Sequence, residues 1–269
     1  MFKDKVVIVT GASSGIGQAC ALAFAGEGCH VVLAARSKEG LLATATECEK
    51  KGVKTLVVQT DVSIQADCKN LVDETIKAFG RIDILINNAG MSMRALFEDT
   101  DIDVLKKLMD VNFWGTVYCT KYALPALLKT KGSVVGISSV AAFKGLPGRT
   151  GYSASKFAMN GFLEVVRIEN MKKGLHVLIC APGFTASNIR NTALTKDGSI
   201  QSESPLDESK LMKPEEVANH IIDAIKKRKN TLILTTVGKM TVLLNKFFPR
   251  IMDKLVYNRM AAEKNSPLK

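Results

Sequence analysis

Tyr152 and Lys156 stand four residues apart in GYSASKF (151–157), a spacing that puts both on one face of a helix. A free phenol with a pKa of about 10 is a poor acid at neutral pH. Held beside an ammonium and a second, bound cation it becomes a usable one, able to exchange a proton with a substrate. Ser139, thirteen residues upstream in SSVAA, adds a hydroxyl that can donate to a carbonyl or hydroxyl oxygen and steady the charge that develops there. Each residue alone has a plainer reading: a half-buried aromatic, a solvated lysine, a strand-end hydroxyl. Together they describe proton transfer to a carbonyl, and they require a site for the missing cation.

The elements that must position them alternate along the chain. Short, apolar, β-branched runs occur at 6–10 (VVIVT), 29–35, 55–60, 82–87, 132–139, 175–182 and 231–236, with amphipathic stretches between them beginning near Gly15, Glu39, Gln65, Asp99, Ser153 and Pro214. That alternation predicts an α/β fold: a doubly wound, Rossmann-type parallel seven-stranded sheet covered on both faces, with ligands beyond the carboxyl ends of the strands. No repeat or linker interrupts residues 1–236, expected to form one catalytic domain, and 237–269 follow as a helical extension.

The first strand runs into TGASSGIG (10–17). Gly11 permits a tight exit from the strand, Gly15 lets a pyrophosphate approach the backbone, and Gly17 lets the following helix pack closely. At the end of the second strand, where a carboxylate would grip a ribose 2′-hydroxyl, the chain has Ala35 and Arg36. A guanidinium suits a 2′-phosphate, so the expected cofactor is NADP(H), whose oxidised ring is the missing cation.

TGASSGIG, Asp61-Val62, NNAG (87–90), Asn112, Ser139, YSASK and Pro182-Gly183, in this order, resemble the motif set of the short-chain dehydrogenase/reductase family over residues 5–235. The resemblance implies that Ser13, Ser14 and Ile16 join the three glycines around the cofactor, that Asp61 and Val62 border the adenine, that Asn88, Ala89 and Gly90 pass behind it, and that Thr185 and Ser187 after Pro182 hold the carboxamide. It implies that Asn112 holds a water linking Lys156 to solvent, and that Lys156 binds the nicotinamide ribose and stabilises the Tyr152 phenolate. Ser187 stands where the family usually has threonine, Thr185 where it often has an aliphatic residue, and Ser14 where some NADP-dependent relatives carry a basic one, which leaves discrimination mainly to Arg36. The chain resembles most the hydroxysteroid-dehydrogenase-like, lipid-ketone-reducing branch, implying a lipophilic ketone or secondary alcohol; a homodimer or homotetramer is expected. The alternative is an NADP(H)-binding sensor, or a scaffold using helices 99–129 and 152–173 as a dimer face, with little turnover.

Residues 183–213 contain no strand pattern and fit a lid over the substrate. Phe143, Leu146, Phe184 and Ile189 are apolar candidates for the pocket; Met91, Met93 and Phe97 suit either its wall or the core. Arg94, Arg149 and Arg190 are candidates for holding a substrate anion. Six singly spaced cysteines and three dispersed histidines suggest reduced thiols and no metal site. The chain runs from Met1 into FKDKVVIVTG without an apolar leader, so a cytoplasmic location is expected.

Of the net charge of +11, +9 falls in residues 224–269, which hold 11 Lys and Arg against 2 Asp and Glu. Neither a groove-binding module nor stacking aromatics accompany it in the body of the chain, so nucleic acid is not the expected partner. Residues 237–260 place Met240, Leu243, Leu244, Phe247, Phe248, Ile251, Met252 and Leu255 at helical spacing with Lys239, Lys246, Arg250 and Lys254 mainly opposite. Pro249 should divide the stretch into two short helices. Such a stripe rests on an anionic membrane surface, or covers the active-site mouth, or meets a partner subunit.

Overall fold

The computed structural model describes residues 1–204 and 206–269. Seven parallel strands, β1 (Val6–Thr10), β2 (His30–Ala35), β3 (Thr55–Gln59), β4 (Ile84–Asn87), β5 (Ser133–Ile137), β6 (His176–Ala181) and β7 (Thr231–Ile233), form one sheet in the order 3-2-1-4-5-6-7. Their continuous apolar runs follow from burial on both faces: every residue of β1 and β5 is buried. The helices are α1 (Gly15–Gly26), α2 (Lys38–Glu49), α3 (Gln65–Phe79), α4 (Ile102–Met109), α5 (Gly115–Thr130), α6 (Thr150–Asn170), α7 (Pro214–Lys226), α8 (Thr236–Phe247) and α9 (Pro249–Ala261).

Two apolar layers hold the sheet. One packs Phe24 of α1, Leu41 of α2 and Ile221 of α7 on Val7, Val9 and Val31. The other packs Leu71 of α3, Cys119 of α5 and Leu163 of α6 on Ile8, Leu85 and Val134. The order reverses between β1 and β4, which opens a crevice beyond their carboxyl ends. All six cysteines are unpaired and buried, and burial pushes the Cys20 and Cys29 thiols up to about 12.

The helix expected to start near Asp99 is broken. A 3₁₀ turn (Phe97–Asp99) precedes α4, and a π-helical turn (Asp110–Trp114) separates α4 from α5. Such turns insert a residue into the helical ladder, and this one turns Asn112 fully inward. α8 and α9 are the two helices expected of the tail, and Pro249 is the first residue of the second, where its missing N–H costs nothing. They dock on the segment after β5: Asn245 donates to the Phe143 carbonyl at 3.0 Å and Lys144 pairs with Asp253.

Candidate active site

The glycine loop leaves β1 with Gly11 at φ 66° and Gly15 at φ 56°, left-handed conformations that side chains resist. Gly17 faces a stricter limit, since a Cβ there would lie 2.2 Å from the Gly11 carbonyl oxygen and 2.4 Å from Asn88 Nδ2. Asn88 ties the loop down by donating from Nδ2 to the carbonyls of Thr10 at 2.9 Å and Gly11 at 3.2 Å. The Thr10 hydroxyl in turn accepts from the backbone N–H groups of Asn88 and Ala89, both at 3.0 Å. Ser14 is extended, and its side chain makes no capping hydrogen bond to the first turn of α1. Ser13 backs onto α2, where a Cβ on Gly40 would meet it at 2.8 Å. Backbone thus lines a cradle at a helix N-terminus, with no room for side chains at its floor, which fits a dinucleotide pyrophosphate.

Around this cradle, Arg36 is exposed at the end of β2, its carbonyl accepting from Gln59 Nε2 at 2.9 Å. The Asp61 carboxylate accepts from the N–H and hydroxyl of Ser63 at 3.0 and 2.7 Å, while Val62 is buried against Gly115 at the start of α5. Across the crevice, Pro182 and Gly183 follow β6. Gly183 abuts Thr235, Thr185 forms a bridge with Met212, and Ser187 lies 3.5 Å from where a Gly15 Cβ would be. The segment expected as a lid therefore faces the glycine loop.

Tyr152 and Lys156 do share a face of α6, with the ammonium 6.0 Å from the centre of the phenol ring. Lys156 is buried and donates to the Ile137 carbonyl at 2.8 Å, and burial brings its pKa down to about 8. Asn112 grips the strand-end loop: its Oδ1 accepts from Met91 N–H at 2.8 Å, and its Nδ2 donates to Met91 O at 3.0 Å and Ser155 Oγ at 2.9 Å. Gly90 lies between these two residues, where a Cβ would come within 3.0 Å of Asn112 Oδ1 and 3.4 Å of Lys156 Nζ. Ser139 caps a 3₁₀ turn (Val140–Ala142), accepting from Ala141 N–H at 3.1 Å.

Ser139 and Tyr152 face one cavity of about 100 Å³ that Leu146, Phe184 and Ile189 line with apolar surface. The phenol borders this cavity, and burial raises its pKa; the Ser139 hydroxyl and the positive charges of Arg149 and Arg190 pull it back down. The sequence-based expectation concerned Lys156 together with a bound nicotinamide cation. The protein alone does not depress the phenol, and the side-chain cations that act on it are Arg149 and Arg190 rather than Lys156, whose ammonium is turned to a backbone carbonyl.

Of the other pocket candidates, Phe143 packs against the core beneath the sheet. Met93 is fully buried with Val104, Leu108 and Leu194 in a small apolar cluster behind Tyr152, whereas Phe97 is 61% exposed on its 3₁₀ turn and contributes to neither wall nor core. Arg149 donates from Nη1 to Met93 O at 3.1 Å, and Arg190 from Nη2 to Thr185 O at 2.6 Å. Glu263 was missed altogether: its buried carboxylate faces Arg94 and Arg149 from the far end of the chain. Its one signal is that it is among only two acids in residues 224–269.

Comparison with known proteins agrees with this geometry. The family model described as short chain dehydrogenase matches residues 5–198. Dehydrogenase/reductase SDR family member 7B of Rattus norvegicus is 34% identical over 272 residues, covering 98% of this chain and 84% of that protein. 11-beta-hydroxysteroid dehydrogenase-like 4A of Arabidopsis thaliana is 43% identical over 192 residues, 71% of this chain and 64% of that one. Among solved structures, an alcohol dehydrogenase from the archaeon Thermococcus sibiricus complexed with 5-hydroxy-NADP superposes with a TM-score of 0.78 at 25% identity, covering 88% of this chain and 98% of that one. A short chain dehydrogenase/reductase from Burkholderia phymatum in complex with NAD shares the fold, with a TM-score of 0.83 at 24% identity over 93% of this chain and 95% of that one.

Proposed function

The chain belongs to the short-chain dehydrogenases, nicotinamide-dependent oxidoreductases of alcohols and ketones with hydroxysteroid-dehydrogenase-like members among its relatives, and from that premise we propose that it is an NADP(H)-dependent enzyme of lipophilic, steroid- or lipid-like ketones and secondary alcohols. The observation that carries this reading is the cavity, with Leu146, Phe184 and Ile189 in its wall, in which Ser139 and Tyr152 converge beside the glycine cradle. A redox sensor or scaffold would have no use for a proton donor aimed into such a cavity.

When bound, NADPH supplies the hydride for the carbonyl carbon. The glycine loop holds the pyrophosphate, Asp61, Val62, Asn88, Ala89 and Gly90 border the nucleoside, Thr185 and Ser187 hold the carboxamide, and Arg36 meets the 2′-phosphate. Ser139 donates to the carbonyl oxygen and orients it, while Tyr152 delivers its proton to that oxygen. Lys156 holds the ribose, and Asn112 keeps the Met91 loop and α6 in register beside it, with proton supply to Lys156 from solvent. In the alcohol-oxidising direction Tyr152 takes the proton back.

A screen of ketones with NADPH and of alcohols with NADP⁺, read by nicotinamide absorbance, tests the activity. Within it, Arg36→Ala is expected to weaken NADPH binding by about 1.5–3 kcal/mol, the scale of hydrogen bonding to a charged group, and to leave NADH nearly unchanged. Equal losses for both cofactors would overturn the assignment of Arg36.

Two surfaces support the proposed partners. Trp114 at the head of α5 and Phe157, Val165 and Ile168 of α6 are each 42–56% exposed, and their apolar faces fit a homodimer or homotetramer. On α8 and α9, Leu243, Phe247, Ile251 and Leu255 are each 53–69% exposed beside Lys246, Arg250 and Lys254. No helix among the described residues is long and apolar enough to cross a membrane. The arrangement suits a helix pair lying on an anionic bilayer surface, peripheral to the membrane from the cytoplasmic side. The protein should co-sediment with anionic vesicles and release as salt rises, and Leu243→Asp/Phe247→Asp should abolish the binding without unfolding it. Vesicle binding indifferent to both the substitutions and salt would exclude this surface.

A further inference from the structure

Arg94 and Arg149 stand on neighbouring segments, one after β4 and one at the head of α6, joined where Ala95 bridges Arg149 and its N–H donates to the Gly148 carbonyl at 3.1 Å. Their side chains are each 7% exposed, and the Glu263 carboxylate between them is 4% exposed. Arg149 lines the inner cavity with Tyr152, whereas Arg94 lines a second, outer cavity of about 230 Å³ together with Thr195, Gln201, Lys264 and Pro267. Glu263 links the two arginines from behind, lining neither space itself, and is carried there by a segment whose Pro267 ring lies 3.1 Å from where a Cβ on Gly148 would be.

The carboxylate is a loose fit. Its Oε2 is 3.4 Å from Arg94 and 3.7 Å from Arg149, beyond the roughly 2.7–2.9 Å of a charge-assisted hydrogen bond. Oε2 and Arg94 Nε are both buried without a hydrogen-bond partner among the described residues. Arg94 spends Nη2 on the Lys264 carbonyl at 2.6 Å, and Arg149 spends Nη1 on Met93 O. Two guanidiniums thus share one carboxylate, with bonding capacity left over on both sides.

We propose that Arg94 and Arg149 form a carboxylate- or phosphate-recognising pair at the outer end of the substrate cavity, and that Glu263, its internal occupant, is the specificity-determining residue that reserves the cavity for uncharged carbonyl compounds. By filling the pair, the tail carboxylate repels anionic substrates and cancels much of the positive charge that would otherwise face the cavity. Its removal leaves two buried cations for which an external anion is the natural partner. The inference about substrates rests on the carbonyl-reducing reading above, but the binding of anions does not.

Two measurements on the full chain test it. Inorganic phosphate should raise the melting temperature of Glu263→Gln by several degrees more than that of the wild type or of Arg94→Ala/Glu263→Gln, each measured against chloride at equal ionic strength to match screening, the two comparison proteins cancelling the general stabilising effect of phosphate. With NADPH, the kcat/KM ratio for a keto acid over the neutral ketone of the same skeleton should rise on the order of tenfold or more in Glu263→Gln, with NADPH affinity unchanged. Phosphate stabilising all three proteins alike, or an unmoved ratio, would overturn the proposal. If Glu263→Gln is unfolded in chloride, folding in phosphate that leaves Arg94→Ala/Glu263→Gln unfolded supports the anion site, and folding of both or of neither counts against it. If the wild type reduces no ketone, the carbonyl reading falls while the phosphate comparison still judges the arginine pair.

Discussion

Tyr152→Phe is expected to lower kcat for ketone reduction by about 10²–10⁴-fold, the usual contribution of a positioned acid, while NADPH affinity stays within about twofold. The hydroxyl faces the cavity with Ser139, on the substrate side, whereas the pyrophosphate cradle is built from the backbone of residues 11–17. The two functions therefore separate. Burial keeps the phenol's pKa above its ordinary value even against Ser139, Arg149 and Arg190, so in the protein alone the acid form persists through neutral pH. Reduction uses that form. Its rate should be level across neutral pH and decline only on the alkaline side, while oxidation, which uses the phenolate, should rise with pH. Both dependences should vanish in Tyr152→Phe. Stopped-flow nicotinamide absorbance across pH checks this, and a variant with full activity on a confirmed substrate would exclude Tyr152 as the proton donor.

Periodicity carried the sheet because a strand covered on both faces must be apolar throughout, and VVIVT becomes β1 residue for residue. The glycine loop was legible for a similar reason: glycine adopts the φ of Gly11 and Gly15 most readily, and only glycine fits the approach at Gly17. The break at Asp110–Trp114 was not legible. A π-helical turn has no composition of its own, so DVNFWG reads as continuous helix, and the reason for a buried amide at Asn112 emerges only when Met91 is seen to use both its ends. Arg149, three residues before Tyr152, was visible as a cation, but its pairing with Glu263 was not, because no sequence pattern measures the distance between the head of α6 and the tail. Glu263 lay hidden in a segment whose net charge is strongly positive; an average over such a segment conceals the one residue of opposite sign that folds inward.

Gly17→Ala is expected to remove most cofactor binding, and Gly161→Ala to remove none. In a helix interior, alanine is favoured over glycine by about 1 kcal/mol, so propensity alone would stabilise both. At Gly161, within α6, nothing lies within 4 Å of the added methyl, and the gain should appear as a slightly raised melting temperature. At Gly17 the methyl would lie 2.2 Å from the Gly11 carbonyl oxygen, a backbone atom that no rotamer change can move, and 2.4 Å from Asn88 Nδ2. Relieving that overlap means displacing α1 from the end of β1 or breaking the Asn88 tether, at a cost of about 1–3 kcal/mol or more. The clash outweighs the propensity. The groups displaced are the N–H donors at the start of α1 that would face the pyrophosphate, and an error of about 1 Å in such a positioned site costs on the order of 100-fold. NADPH titration by fluorescence should therefore show affinity reduced by about that factor in Gly17→Ala, with the fold retained by circular dichroism, and wild-type affinity in Gly161→Ala. Wild-type affinity in Gly17→Ala would mean that the cofactor does not sit on this loop.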